Sequence, residues 1–268
     1  MPPAPRRVHA AALLVIALVP LATLTACTGG TPAPPAASGS LPRSDEPVDL
    51  DPAQFTVEID NPYWPMKPGT RWTYRELDPG GDAFTVVVTV TSETKTVANG
   101  VEARIVRDTV SRGDEVVEDT FDWYAQDADG AIWYLGEDTA EFEDGRLVST
   151  EGSFEAGVDG ALAGIAVPAD PAPGMSYRQE YSAGHAEDSG EVLSVTEIVE
   201  VPDGFFRDAM LTRDTNALEP DAAELKLYAP GVGPVLTLDI AGGAGREELL
   251  SVTTVPDGTA LGPLGSPD

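Results

Sequence analysis

FTVVVTVT, residues 84–91, decides the fold class. Phe84, Val86, Val88 and Val90 alternate with Thr85, Val87, Thr89 and Thr91. Successive side chains of an extended chain point to opposite faces, so a period of two marks a β-strand. Outward from this run the same period recurs. Phe121, Trp123 and Ala125 alternate with Asp122, Tyr124 and Gln126, and Leu225, Leu227 and Ala229 alternate with Glu224, Lys226 and Tyr228. Asn99-Gly100, Asp129-Gly130, Asp144-Gly145 and Asp203-Gly204 punctuate the runs. These pairs tolerate positive φ and so suit tight hairpins. No helical stripe stands outside the first 27 residues. Residues 161–172 are apolar but broken by Gly and Pro, and are expected to form a loop against the sheet.

The chain also matches itself. KPGTRWTYRE from Lys67 resembles APGMSYRQEY from Ala172, and Asn99-Gly100 matches Asp203-Gly204. Arg107-Asp108-Thr109 matches Arg213-Asp214-Thr215, and Tyr124-Ala125 matches Tyr228-Ala229. The offsets are 105, 104, 106 and 104, in the same order along the chain. A fixed offset is the mark of an internal duplication, here residues 67–135 and 172–238. Trp72 and Tyr177 then begin equivalent strands, and the two Gly turns form hairpins of one type. Two such units predict roughly ten to twelve strands, too many to stay flat with open edges. The expected fold is all-β, an antiparallel barrel or half-barrel built from two similar units within one core.

The N-terminus carries a second signal. Arg6 and Arg7 precede an apolar run at residues 10–19, and Leu24-Thr25-Ala26-Cys27 follows. A charged start, a short apolar core and small residues before a cleavage point are the pattern of an export signal. The last four residues resemble the bacterial lipobox, in which the cysteine thiol takes a diacylglyceryl group before cleavage. Cys27 is the single cysteine of the chain, so it has no internal disulfide partner. It is the predicted lipid attachment site, and two acyl chains hold a protein stably on a membrane where one does not. Residues 1–26 are thus read as a lipoprotein signal peptide. Residues 27–54, rich in Pro, Gly and Ala, are read as a disordered tether, residues 55–255 as the acidic β-domain, and residues 256–268 as a disordered tail.

Charge narrows the partners. The formal net charge is -29. Without Arg6 and Arg7 the chain keeps 14 basic residues against 45 acidic ones. Such a field repels nucleic acid and anionic headgroups. Lys occurs only at 67, 95 and 226 while Arg, Ala and Gly abound, as GC-rich coding gives.

Candidate chemistry is sparse. His185, the one histidine after the leader, lies in Gly184-His185-Ala186-Glu187-Asp188. With Glu187 and Asp188 it offers part of a cation site, though a polar hairpin tip explains the segment better. Asp127-x-Asp129-Gly130 resembles the middle of a calcium loop, but Ala125 and Gly136 occupy its obligatory acidic positions, so it reads as a turn. Glu137, Asp138, Glu141, Glu143, Glu151 and Glu155 provide carboxylates for glycosidase chemistry, in which two acids flank a sugar. Trp64, Trp72, Trp123 and Trp133 could stack on sugars, or pack in the core as strand aromatics commonly do. No nucleophile motif accompanies His185, and no cofactor or metal site is expected.

Five stretches carry a family resemblance: NPYWPMKPGTRWTY, DWYAQDADGAIWYLGEDTAEF, GSFEAGVDGALAGIAVPADPAPG, SYRQEYSAGHAEDSGEVL and LYAPGVGPV. Together they resemble a family of uncharacterised secreted bacterial proteins and lipoproteins. The resemblance spans most of the predicted domain and implies class and location, without an activity. The PGxxWxY and YAPGVG patterns are also similar to envelope proteins with curved antiparallel sheets of the lipoprotein-carrier type.

The leading functional expectation is a non-enzymatic envelope lipoprotein. It sits on the extracytoplasmic face of the cell membrane through Cys27 and binds an apolar ligand or an envelope protein. The competing expectations are a carboxylate-dependent hydrolase of cell-wall glycans and a structural or cation-buffering surface protein. A cavity and the chemistry of its lining discriminate among the three.

Overall fold

The computed structural model describes residues 41–266. Its strands form one antiparallel sheet that curls into a nearly closed barrel. A 3-10 turn, Pro52–Gln54, and the short β1 (Phe55–Thr56) lead in. Then comes a meander: β2 (Thr70–Leu77), β3 (Ala83–Thr96), β4 (Glu102–Arg112), β5 (Glu115–Asp127) and β6 (Ile132–Glu143). Three short strands follow, β7 (Arg146–Ser149), β8 (Phe154–Glu155) and β9 (Leu162–Val167). The chain continues through β10 (Ser176–Arg178), β11 (Glu180–Tyr181), β12 (Asp188–Val201), β13 (Gly204–Asn216), β14 (Glu219–Ala229), β15 (Gly233–Ala241) and β16 (Arg246–Thr254).

Around the wall the order is β10-β12-β13-β14-β15-β16-β2-β3-β4-β5-β6-β9-β11. β10 and β11 are separated by Gln179 alone, and they pair with β12 and β9 respectively. One interrupted strand therefore bridges the two ends of the sheet. Counted so, the wall has twelve strands. Gly164 lets this seam close, because a Cβ there would lie 2.3 Å from the Gln179 carbonyl oxygen. Closure removes the exposed edges that an open sheet would present.

The element order repeats. β2-β3-β4-β5-β6 and β10-β12-β13-β14-β15 are each strand-to-neighbour meanders within the wall. Gly69 and Gly174 open the two runs at φ 84° and 89°. Thr70 N–H donates to the Lys67 carbonyl at 3.0 Å, and Met175 N–H to the Ala172 carbonyl at 3.1 Å. Pro-Gly at the centre of each turn supplies the fixed φ and then the positive φ that a type II turn needs. Trp72 and Tyr177 follow, 0% and 1% exposed. Tyr124-Ala125 and Tyr228-Ala229 lie near the ends of β5 and β14.

The hairpins at matching places differ in type. Asn99-Gly100 lies in a longer loop closed by Val97 N–H to the Val101 carbonyl, with Gly100 at φ 90°. In the second run Val201 pairs directly with Gly204, so Pro202-Asp203 form a two-residue turn. Proline accounts for the difference: its fixed φ suits a turn position and its missing N–H bars it from the ladder.

Three segments depart from the sequence reading. Residues 162–167 form β9, pairing with β6 and β11 rather than lying as a loop. Short apolar runs with both faces covered lack alternation, so periodicity could not show this strand. Residues 41–54, read as tether, pack on the wall. Leu41, Val48 and Leu50 contact the core, and Arg178 donates to the carbonyls of Ser44 at 2.6 Å and Glu46 at 2.8 Å. Residues 256–266, read as tail, are likewise placed, with Ala260 4% exposed and Arg107 bonded to the carbonyls of Gly262 and Pro263. Low-complexity composition says nothing of a buried guanidinium elsewhere in the chain that needs carbonyl partners.

Candidate functional site

The loop between β1 and β2 packs Tyr63 and Trp64 against the core. Ile59 bridges to Met66, and Asn61 ties the loop to the wall: its Nδ2 donates to the carbonyls of Gly130 at 2.8 Å and Pro168 at 3.3 Å. Trp64 is thereby set among the paired tyrosines. Its ring lies 5.4 Å from that of Tyr124 and 6.2 Å from that of Tyr228. Tyr124 stacks on Tyr134 at 5.0 Å.

These aromatics form part of the wall of a cavity of ≈ 480 Å³. That volume suits a small organic molecule. The remaining wall is acidic: eight carboxylates line it against one cation, Lys226. Strand alternation explains the placement. On β5 the inward set is Asp122 and Tyr124, and on β14 it is Glu224, Lys226 and Tyr228. The apolar partners Trp123, Ala125, Leu227 and Ala229 point the other way and are buried on that side. The two repeated Arg-Asp-Thr motifs place Asp108 on β4 and Asp214 on β13 in the same lining. Their strands are six steps apart in either direction around the twelve-strand wall.

Carboxylates crowded out of water hold their protons. Burial, reinforced by Asp122 and Glu247, pushes Asp108 well above the usual range. Burial pushes Asp122 up to about 7, with Glu118 adding to the rise, and burial beside Asp122 pushes Glu137 up to about 8. Geometry agrees. The Tyr134 hydroxyl lies 2.8 Å from both Asp122 Oδ1 and Glu137 Oε2. A hydroxyl has one proton to give, so the second contact needs a proton on a carboxyl. Burial and Asp188 raise Glu180 well above its ordinary value, and burial beside Glu76 takes Glu247 up to about 7. For Lys226 burial alone would lower the pKa, but Asp214 and Glu224 raise it well above the ordinary value.

Among the described residues, the buried side-chain polar atoms without a hydrogen-bond partner are Trp64 Nε1, Asp108 Oδ1, Tyr177 Oη, Thr212 Oγ1 and Asp214 Oδ1. Three of these five belong to the cavity lining. Asp214 is held in place through its other oxygen, which accepts from Gln179 Nε2 at 3.1 Å and pairs with Lys226 Nζ at 3.3 Å.

Most residues singled out by sequence lie elsewhere. His185 is exposed at a hairpin tip, where its N–H donates to the Ser182 carbonyl and Gly184 N–H donates to Glu187 Oε1. Asp188 is in the cavity lining, and Asn216 Nδ2 donates to it at 3.3 Å. Asp127 organises a turn, accepting from the N–H groups of Asp129 and Ala131 and from Trp133 Nε1 at 2.7 Å. Trp72 is core, donating to the Val232 carbonyl at 2.8 Å. Trp123 carries Lys95 over its ring at 3.4 Å, and that lysine pairs with Glu155 at 2.8 Å. Of the four tryptophans only Trp64 reaches the cavity. No group of three His, Cys, Asp or Glu side chains among the described residues is arranged to hold a metal ion. Cys27 lies outside the described residues. Sequence reading missed Asp108, Asp122, Asp214 and Glu247. The one signal for two of them was the repeated Arg-Asp-Thr.

No protein-family model matches the chain, and neither does any curated protein. Solved structures show resemblances at low identity. A protein of Bacteroides fragilis named as exported and as having a YmcC-like fold is 14% identical, over 72% of this chain and 99% of that one, with a TM-score of 0.43. A protein of Parabacteroides distasonis named as a lipoprotein is 11% identical over 71% and 98%, with a TM-score of 0.40. A β-barrel-like protein of a domain of unknown function from Brucella abortus is 12% identical over 70% and 98%, with a TM-score of 0.35.

Proposed function

We propose that the chain is a lipid-anchored envelope protein outside the cell, and that its barrel cavity binds a small molecule without transforming it. The leader and Leu24-Thr25-Ala26-Cys27 support the location. The observation that carries the binding reading is the ≈ 480 Å³ cavity, with three unpartnered polar atoms among its lining residues. Buried polar groups normally find partners, and those at the wall of a cavity take one from whatever fills it, solvent or a ligand group. The polar lining favours a polar ligand over an apolar one. The full protein, purified in detergent, should rise in melting temperature with some member of a panel of cationic, neutral, apolar and anionic small molecules. Tyr228→Leu should abolish the rise. A flat response across all four classes would remove the reading.

A second reading is a carboxylate-dependent hydrolase, favoured by Asp122 and Glu137. A glycosidase pair needs a sugar between its two acids. Here the hydroxyl of Tyr134 stands between them, and Glu137 is not part of the lining. Release of reducing ends from cell-wall glycan, lost in Asp122→Asn, would favour the hydrolase instead.

A further inference from the structure

We infer that the cavity takes an organic ammonium cation, anchored between Asp108 and Asp214. The inference rests on reading the cavity as a ligand site and names the ligand's chemistry.

The first support is the pair of orphaned oxygens. Asp108 Oδ1 and Asp214 Oδ1 are buried without a hydrogen-bond partner, and Asp214 as a whole is 7% exposed. A buried acceptor left unmatched is costly, more so when charged. Asp214 is fixed by Gln179 and Lys226 through Oδ2, so Oδ1 cannot swing to another donor without losing those contacts. Each free oxygen accepts a hydrogen bond, which an ammonium group supplies together with the counter-charge.

The second support is placement. Asp108 and Asp214 occupy corresponding motif positions on strands at opposite sides of the wall, and both line the one cavity. A ligand between them can meet a carboxyl group at either end, and an ammonium beside Asp108 favours its ionised form, the proton passing to solvent. The third is the aromatic part of the wall. Trp64, Tyr124 and Tyr228 present rings to the same space, and ring faces attract ammonium groups.

Charge then excludes the alternatives. Lys226, the one cation of the lining, is already paired with Asp214 at 3.3 Å and Glu224 at 3.6 Å, so a phosphate or a carboxylate ligand meets acids without a free counter-charge. A bare metal ion lacks its cage, since no three ligand side chains among the described residues are arranged for one. A polyatomic cation fits both the volume and the sign.

The experiment uses the full lipoprotein in detergent and three probes of matched length: 1,5-diaminopentane, pentylamine and 1,5-pentanediol. Calorimetry and melting curves are read at about 0.3 M salt, which screens association with the acidic outer surface. The diamine should bind with one-to-one stoichiometry, more tightly than the monoamine, and the diol should not bind. Asp108→Asn and Asp214→Asn keep the shape and remove the charge, and each should weaken the diamine by about tenfold or more. Should either variant fail to fold, Tyr124→Leu provides an independent weakening through the aromatic wall. Equal binding of the diol, or diamine affinity unchanged in the asparagine variants, overturns the inference while the cavity stands as a ligand site. Binding of none of the probes or of the wider panel overturns both.

Discussion

Arg107 and Asp119 form a two-pronged ion pair between β4 and β5, with Nε to Oδ1 at 2.9 Å and Nη2 to Oδ2 at 2.5 Å. The side chains are 2% and 0% exposed. The C-terminal segment covers the pair: Arg107 donates to the carbonyls of Gly262 and Pro263, and Gly265 N–H donates to Asp119 Oδ2. Arg107→Ala would strand a buried carboxylate, so it should cost about 3–5 kcal/mol in chemical denaturation. A loss within measurement error would contradict this account. Deleting residues 256–268 should also destabilise the protein, because it opens the pair to water and leaves guanidinium donors without carbonyls.

Among the described residues, Arg178 has no carboxylate among its hydrogen-bond partners. Its guanidinium donates to the carbonyl oxygens of Ala163, Ser44 and Glu46, and the residue is 1% exposed. It therefore clamps the segment at residues 44–46 onto the seam beside β9. Arg178→Ala should expose residues 41–50 to limited proteolysis at a rate several-fold above that of the unaltered protein. Equal cleavage rates would show that the apolar contacts of Leu41, Val48 and Leu50 suffice.

Stability should fall as pH rises. Asp122, Glu137 and Glu247 hold protons in the folded protein up to about 7, 8 and 7. In an unfolded chain such acids lose them near pH 4. Between about pH 4 and 8 the folded state thus binds more protons, and the slope of stability against pH is negative. The contribution is whole below that window and gone above it. Glu248, lowered by its bonds to Arg246 and Arg75 despite burial, acts in the opposite sense only at acid pH. The melting temperature should be several degrees higher at pH 5.5 than at pH 8.5, and Asp122→Asn should flatten the difference. A melting temperature that climbs with pH would refute the raised carboxyls.

Cys27→Ser should abolish labelling with radioactive palmitate and leave the precursor uncleaved. It removes the one thiol in the chain that could take the diacylglyceryl group. Labelling that persists would place the lipid elsewhere and remove the anchor from the proposed function.

Sequence alone determined the all-β class and the strands that alternate, though not β9. The alternation at Phe84, Val86, Val88 and Val90, and the Asp-Gly turns, are local properties of the chain, and β3 and its neighbours stand where they predict. The repeated Pro-Gly turns and Tyr-Ala pairs likewise marked two runs of matching element order. Tertiary structure alone decided which face of each strand is inside. Alternation separates Asp122 and Tyr124 from Phe121 and Trp123 but does not say which pair meets the barrel interior. The usual assumption puts the apolar set there. Here Trp123 is covered from outside, so the acidic and phenolic set is free to line the cavity. That outcome depends on contacts far apart in the chain, such as Trp72 Nε1 to the Val232 carbonyl and Arg107 to Gly262, which no local pattern encodes. Barrel closure through the interrupted strand at Gln179 has the same origin: it needs Gly164 to let two backbones approach, and only the folded chain brings them together.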